Sequence, residues 1–66
     1  GMSLCNQVHA ILSARWENSG DHDFDLSPVG MAEQLVSSGD INAGGRGADA
    51  LLIFAAMAVT EWRAER

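Results

Sequence analysis

Lysine and tyrosine are absent from this 66-residue chain, and arginine supplies all four of its basic side chains. Nine aspartates and glutamates give a formal net charge of -5 at pH 7. Nucleic-acid-binding proteins need a basic surface to neutralise phosphates, and anionic membranes repel an acidic chain. The composition therefore predicts neither a nucleic-acid partner nor a membrane partner. A basic protein, a cation or a second copy of the chain suits this charge better.

Cysteine is almost absent too, because Cys5 is the only one and no disulfide can form within a single chain. Domains of this size usually need disulfides, a metal or a partner chain for stability. No basic region precedes an apolar segment, as a secretory signal requires, and Gly1 before Met2 is interpreted as a tag remnant. We expect one helical domain over residues 1–66, in the cytoplasm.

The chain has one long apolar run, residues 50–59, in which no polar residue occurs. A membrane-spanning helix needs about 20 apolar residues, so this run is too short to span. A helix that is apolar on all sides is buried on all sides, and a chain this small has few elements with which to bury it. We therefore expect a homodimer in which two copies share one core.

The pattern predicts an all-α fold, a small three-helix domain with a long apolar C-terminal helix. The helices are expected at about 3–17, 28–38 and 48–64. Ser3 is the predicted N-cap of the first helix, and Ser27 with Pro28 marks the start of the second. Gly39 is expected to end the second helix. No segment has the composition of a strand.

The third helix has two candidate apolar faces. One follows a coiled-coil-like spacing and consists of Leu52, Ala55, Val59 and Trp62. The other consists of Ala50, Ile53, Phe54 and Met57. One face should pack on the other two helices and the other on a symmetry mate, and the sequence leaves open which is which. The predicted interface residues are therefore drawn from both faces: Leu52, Phe54, Met57, Val59 and Trp62.

Cys5 and His9 are four residues apart on the first helix, which places both side chains on one face. Two chains related by a two-fold axis would supply two cysteines and two histidines, a set suited to tetrahedral zinc. The alternative is that Cys5 packs as a small apolar residue and His9 lies at the edge of the core. No third residue is evident to orient the pair for nucleophilic catalysis, so no catalytic residue is predicted.

An acidic linker joins the first two helices and carries further candidate metal ligands: Asp21, His22, Asp23 and Asp25. Its alternating aspartates match the first half of an EF-hand loop. The match ends at Leu26, where a glycine is required, and at Ala32, where a glutamate is required. We expect a solvated loop, with divalent-cation binding as the alternative.

Three glycines in residues 44–47 precede the third helix and surround Arg46. Glycine-rich turns before a helix can bind anions through backbone N–H groups. The dinucleotide-binding fingerprint also needs a preceding strand, and a P-loop needs a lysine, so neither motif is present. We expect a structural turn, and an anion site is the alternative.

The leading functional prediction is a non-enzymatic, helical protein–protein interaction or accessory protein that acts as a homodimer. One alternative is a small-ligand or divalent-metal-binding protein that uses residues 21–25 or the pair Cys5 and His9. The other is an antitoxin-like or subunit protein that docks a different protein through its third helix. No cofactor is predicted.

Overall fold

The computed structural model describes residues 3–17 and 27–65. Helix α1 is Leu4–Leu12 and continues as a π-helical segment, Ser13–Glu17. Helix α2 is Pro28–Ser38, and α3 is Ala48–Ala64. No strand occurs in the described ranges. The predicted all-α class with three helices is confirmed, and the bounds of α2 and α3 coincide with those expected from the sequence.

Helices α1 and α2 begin at serine caps with nearly identical backbone angles. Ser3, at φ -66° and ψ 159°, accepts a hydrogen bond through Oγ from the N–H of Asn6. Ser27, at φ -65° and ψ 161°, accepts one in the same way from the N–H of Gly30. Each cap satisfies one of the N–H groups that the first turn of a helix leaves without a partner. Gly39 ends α2 in the left-handed conformation, at φ 77°.

One face of each helix contributes to a single core, in which α3 packs against both α1 and α2. The buried positions of α3 combine two alanines, Ala55 and Ala58, with larger side chains. The loop between α2 and α3 adds Ile41, which is 7% exposed. The buried residues are Leu4, Val8, Leu12, Met31, Ala32, Leu35, Ile41, Leu51, Ala55, Ala58, Val59 and Trp62.

Polar contacts fasten the loop after α2 to α1. The side-chain carbonyl of Gln7 accepts a 2.8 Å hydrogen bond from the N–H of Asn42. The guanidinium of Arg15 forms a 2.7 Å ion pair with Asp40, which also accepts a hydrogen bond from Ser38. These contacts hold the loop in place while Ile41 enters the core.

The two candidate faces of α3 differ in how far their side chains are buried within the chain. Two of the predicted interface residues, Val59 and Trp62, are 0% and 3% exposed within one chain, where they lie in the core. The same buried side of α3 also contains Leu51, Ala55 and Ala58. Leu52 lies at the edge of this side and is only half-buried. None of the described helices has the length and hydropathy needed to cross a membrane.

Candidate functional site

The side of α3 that faces away from the core carries large apolar side chains. Ile53 is 59% exposed, Phe54 48% and Met57 60%. At about 3.6 residues per turn, these side chains and the half-buried Ala50 lie on the side of α3 opposite Ala55 and Trp62. We call these four residues, Ala50, Ile53, Phe54 and Met57, the outward face. Two of the predicted interface residues, Phe54 and Met57, lie on it.

The outward face ends in a cation on one side and a carboxylate on the other. At the N-terminal end, the guanidinium of Arg46 lies 5.4 Å from the centroid of the Phe54 ring, within cation–π distance. At the C-terminal end is the exposed carboxylate of Glu61, two turns beyond Phe54. The exposed Asp49 lies in the first turn of the same helix. The face is thus apolar along its length and oppositely charged at Arg46 and Glu61.

A groove of about 290 Å³ runs between the start of α1 and the outward face. Its walls combine apolar side chains with the two charged ends of the face. The residues that line it are Ser3, Leu4, Cys5, Arg46, Phe54, Met57, Ala58 and Glu61. Leu52, another predicted interface residue, lines a different groove, which lies between α2 and the start of α3.

Within this part of the fold, the predicted metal ligands Cys5 and His9 come together with Glu61. The Sγ of Cys5 lies 3.5 Å from Nε2 of His9 and 3.9 Å from Oε1 of Glu61. One ligand atom from each residue lies within 4.8 Å of the others. Spacing on α1 predicts the first two residues, whereas Glu61 is 56 positions from Cys5 and its place in the cluster follows from the packing of α3 on α1.

Hydrogen bonding fixes the proton positions in this cluster. Nε2 of His9 lies 3.1 Å from the carbonyl oxygen of Ala58. Because a carbonyl only accepts, Nε2 carries a hydrogen and donates it. The thiol of Cys5 donates to the Glu61 carboxylate. Burial raises the pKa of Cys5, and the charges of Glu61 and Glu65 raise it further.

The protonation state of Cys5 decides whether it can act as a nucleophile. A thiolate, and not a thiol, is the nucleophile in cysteine catalysis. The raised pKa of Cys5 favours its thiol form, and the carboxylate of Glu61 lies beside it. The Glu61 carboxylate beside Cys5 thus disfavours the thiolate that a cysteine nucleophile needs.

The glycine-rich segment forms a tight turn. Gly44 and Gly45 have φ of 61° and 84°, conformations that favour glycine. The N–H of Gly44 donates to Oδ1 of Asn42, and the N–H of Arg46 donates to the carbonyl of Ala43. The Arg46 side chain returns to the same carbonyl. These glycines therefore form a turn that positions Arg46 over Phe54.

The other candidate metal ligands, Asp21, His22, Asp23 and Asp25, lie outside the described residues.

Comparison of the chain with protein-family models, with curated proteins and with solved structures gave no significant match. The function is therefore inferred from the residues of this chain alone.

Proposed function

We propose that this protein is a non-enzymatic interaction module that acts as a homodimer through the outward face of α3. The observation that carries the proposal is the exposure of Ile53, Phe54 and Met57 on one side of a helix whose other side forms the core. Burying apolar surface contributes about 25 cal/mol per Å². Three large side chains on one stripe therefore provide a favourable free energy to any partner with a matching apolar surface.

The charges at the ends of the outward face favour a second copy as that partner. In a two-fold interface the same surface patch of each copy meets that of the other, and a two-fold axis perpendicular to the helices packs them antiparallel. Two outward faces packed antiparallel would bring Arg46 of each copy towards the Glu61 end of the other. Ala50 is small enough to let the helices approach closely. The exposed Asp49 can remain at the solvated rim, where charges contribute little to affinity.

A dimer would also add to the stability of a chain whose own core is small. Domains of about 70 residues or fewer seldom reach more than about 3–5 kcal/mol from one core. The described core contains one tryptophan and no phenylalanine, because Phe54 lies on the outward face. Pairing two faces would place the Phe54 rings in an apolar environment. The cytoplasm is the compartment that suits the proposal, because a free thiol such as Cys5 stays reduced there.

The test is the solution mass of the protein, measured by light scattering after size exclusion over a dilution series. We expect a dimer that dissociates on dilution, and we expect Met57→Glu to be monomeric at every concentration. Val29→Glu is the matched control, because Val29 is 50% exposed but lies on α2. This variant should dimerise like the unmodified protein.

Two results would contradict the proposal. A monomer at the highest soluble concentration would show that the outward face does not bind itself. It would favour the alternative of a different protein docking on α3. A dimer unaffected by Met57→Glu but lost in Val29→Glu would place the interface on α2 instead.

A further inference from the structure

We propose that Cys5, His9 and Glu61 form a binding site for a divalent transition-metal cation of the zinc class. The three residues come from two helices and offer one sulfur, one imidazole nitrogen and one carboxylate oxygen. Zinc binds this combination of donors in proteins. Calcium and magnesium prefer six or more oxygen ligands, and a single carboxylate does not provide them. The donor set therefore selects the class of metal.

The two distances from the Cys5 sulfur are close to those of a tetrahedral arrangement, and all three ligand atoms lie within 4.8 Å of one another. Bond lengths of about 2.3 Å to sulfur and about 2.0–2.2 Å to nitrogen and oxygen give ligand–ligand separations of roughly 3.4–3.6 Å around one tetrahedral cation. Cys5 Sγ is 3.5 Å from His9 Nε2 and 3.9 Å from Glu61 Oε1. A shift of a few tenths of an ångström in the exposed Glu61 side chain brings the second distance to the ideal value.

Packing of α1 on α3 holds these ligands in place. Cys5 and His9 lie one turn apart on α1, flanked by the buried Leu4 and Val8. Glu61 precedes the buried Trp62 on α3. The metal would therefore link the two helices at a point where their separation is already set by the core. Three protein ligands leave a fourth position, and the groove lined by Cys5 and Glu61 gives water access to it.

Binding requires two proton movements. The cation displaces the proton of the Cys5 thiol, which leaves to solvent as a sulfur–metal bond forms. Nε2 of His9 gives up its hydrogen bond to the carbonyl of Ala58, and the ring carries its proton on Nδ1 instead. The sulfur already lies 3.5 Å from Nε2, and the ring turns so that the Nε2 lone pair points to the metal instead of to the Ala58 carbonyl. No redox change or further reactant is involved.

The proposal is tested with untagged protein and metal ions alone. Titration with Co²⁺, a spectroscopic substitute for Zn²⁺, should produce sulfur-to-metal charge-transfer absorption and the intense visible bands of a tetrahedral site. Zn²⁺ should displace the Co²⁺ with a stoichiometry of one per chain. Excess Ca²⁺ should leave the spectrum unchanged.

Three ligand variants and one matched control separate this site from adventitious binding. Cys5→Ser should abolish the charge-transfer band, and His9→Gln and Glu61→Gln should each weaken Zn²⁺ binding about tenfold or more. Glu65→Gln removes a nearby exposed carboxylate that is not in the cluster, and it should bind like the unmodified protein. Circular dichroism of each metal-free variant shows whether its helices have formed. Glu61 is exposed, so Glu61→Gln should fold even if the other variants do not.

The proposal is overturned if the unmodified protein gives no charge-transfer band. It is equally overturned if Glu61→Gln and Glu65→Gln bind Zn²⁺ with the same affinity, since Glu61 would then not be a ligand. Competition by Ca²⁺ would contradict the assigned class of metal. Each readout is independent of the solution mass, so the metal site and the homodimer can fail separately.

Discussion

The indole nitrogen of Trp62 donates a 3.1 Å hydrogen bond to Oγ of Ser13. Trp62 lies in the last turn of α3, and Ser13 is the first residue of the π-helical segment after α1. The bond therefore joins the ends of two helices that pack in one core. Trp62 is only 3% exposed, and a buried N–H that loses its acceptor costs free energy. Ser13 thus lets the chain bury its large aromatic side chain with the indole N–H satisfied.

Replacing Ser13 by alanine should lower the free energy of unfolding by about 1 kcal/mol, the usual effect of losing one such hydrogen bond. Urea denaturation followed by circular dichroism measures the change. Ser37→Ala is the matched control, because Ser37 is exposed and its hydroxyl donates to the carbonyl of Gln34 in its own helix. Equal effects of the two substitutions would show that the bond to Trp62 contributes nothing.

The boundaries of these helices can be predicted because they are set by capping residues next to them in the sequence. Ser3, Ser27 with Pro28, and Gly39 each act on backbone groups within four positions of themselves. The side of α3 that is buried cannot be predicted from neighbouring residues in this way. Residues 50–59 are all apolar, so no polar residue marks the side that faces water. Which side faces the core depends on the packing of α1 and α2.

The candidate metal cluster is likewise only partly predictable from the sequence. A spacing of four residues on one helix predicts that Cys5 and His9 are neighbours. Glu61 reaches them only because α3 crosses α1, and nothing near Glu61 in the sequence signals that contact. From the sequence, the remaining ligands could come from a symmetry-related chain or from His22 and its neighbouring aspartates, whereas the structure offers a third ligand, Glu61, within one chain.

Substituting Gly47 by serine should stabilise the protein. Gly47 is the N-cap of α3 at φ -70° and ψ 167°, almost the angles of Ser3 and Ser27, but it offers no side-chain hydrogen bond. A Cβ atom at this position meets nothing within 4 Å. A capping hydroxyl and a less flexible unfolded chain together should add about 0.5–1 kcal/mol. The midpoint of thermal unfolding should rise, and an unchanged midpoint would argue against the capping geometry.

Gly39→Ala is the opposite case. The space around Gly39 is also open, but its φ of 77° is a left-handed conformation that an alanine adopts only with strain. We expect a loss of about 1 kcal/mol in unfolding free energy, measured by the same thermal or urea unfolding. A loss here with a gain at Gly47 would show that the backbone angle, and not the added volume, decides the effect. Stabilisation by Gly39→Ala would contradict the left-handed end of α2.

Leu35→Ala should destabilise the protein by about 2–5 kcal/mol, because truncating a fully buried leucine leaves a cavity. Leu35 is 0% exposed and lies on α2 among the side chains that face α3. Val29→Ala, on the exposed side of the same helix, should change stability by less than about 0.5 kcal/mol. Urea unfolding of both variants tests the assignment of the faces of α2. Comparable losses would mean that Val29 is covered in solution.

Phe54→Ala separates the core of one chain from an interface between chains. The Phe54 side chain is 48% exposed and stacks with Arg46, so its truncation should cost the monomer only about 1 kcal/mol. If two outward faces pair, the same truncation removes apolar surface from the interface and weakens the dimer. Because dimers are stabilised by mass action, the unfolding midpoint of the unmodified protein should rise with concentration. The midpoint of Phe54→Ala should rise much less, and Val29→Ala should behave like the unmodified protein. A midpoint independent of concentration in all three would mean that Phe54 remains exposed to water in solution.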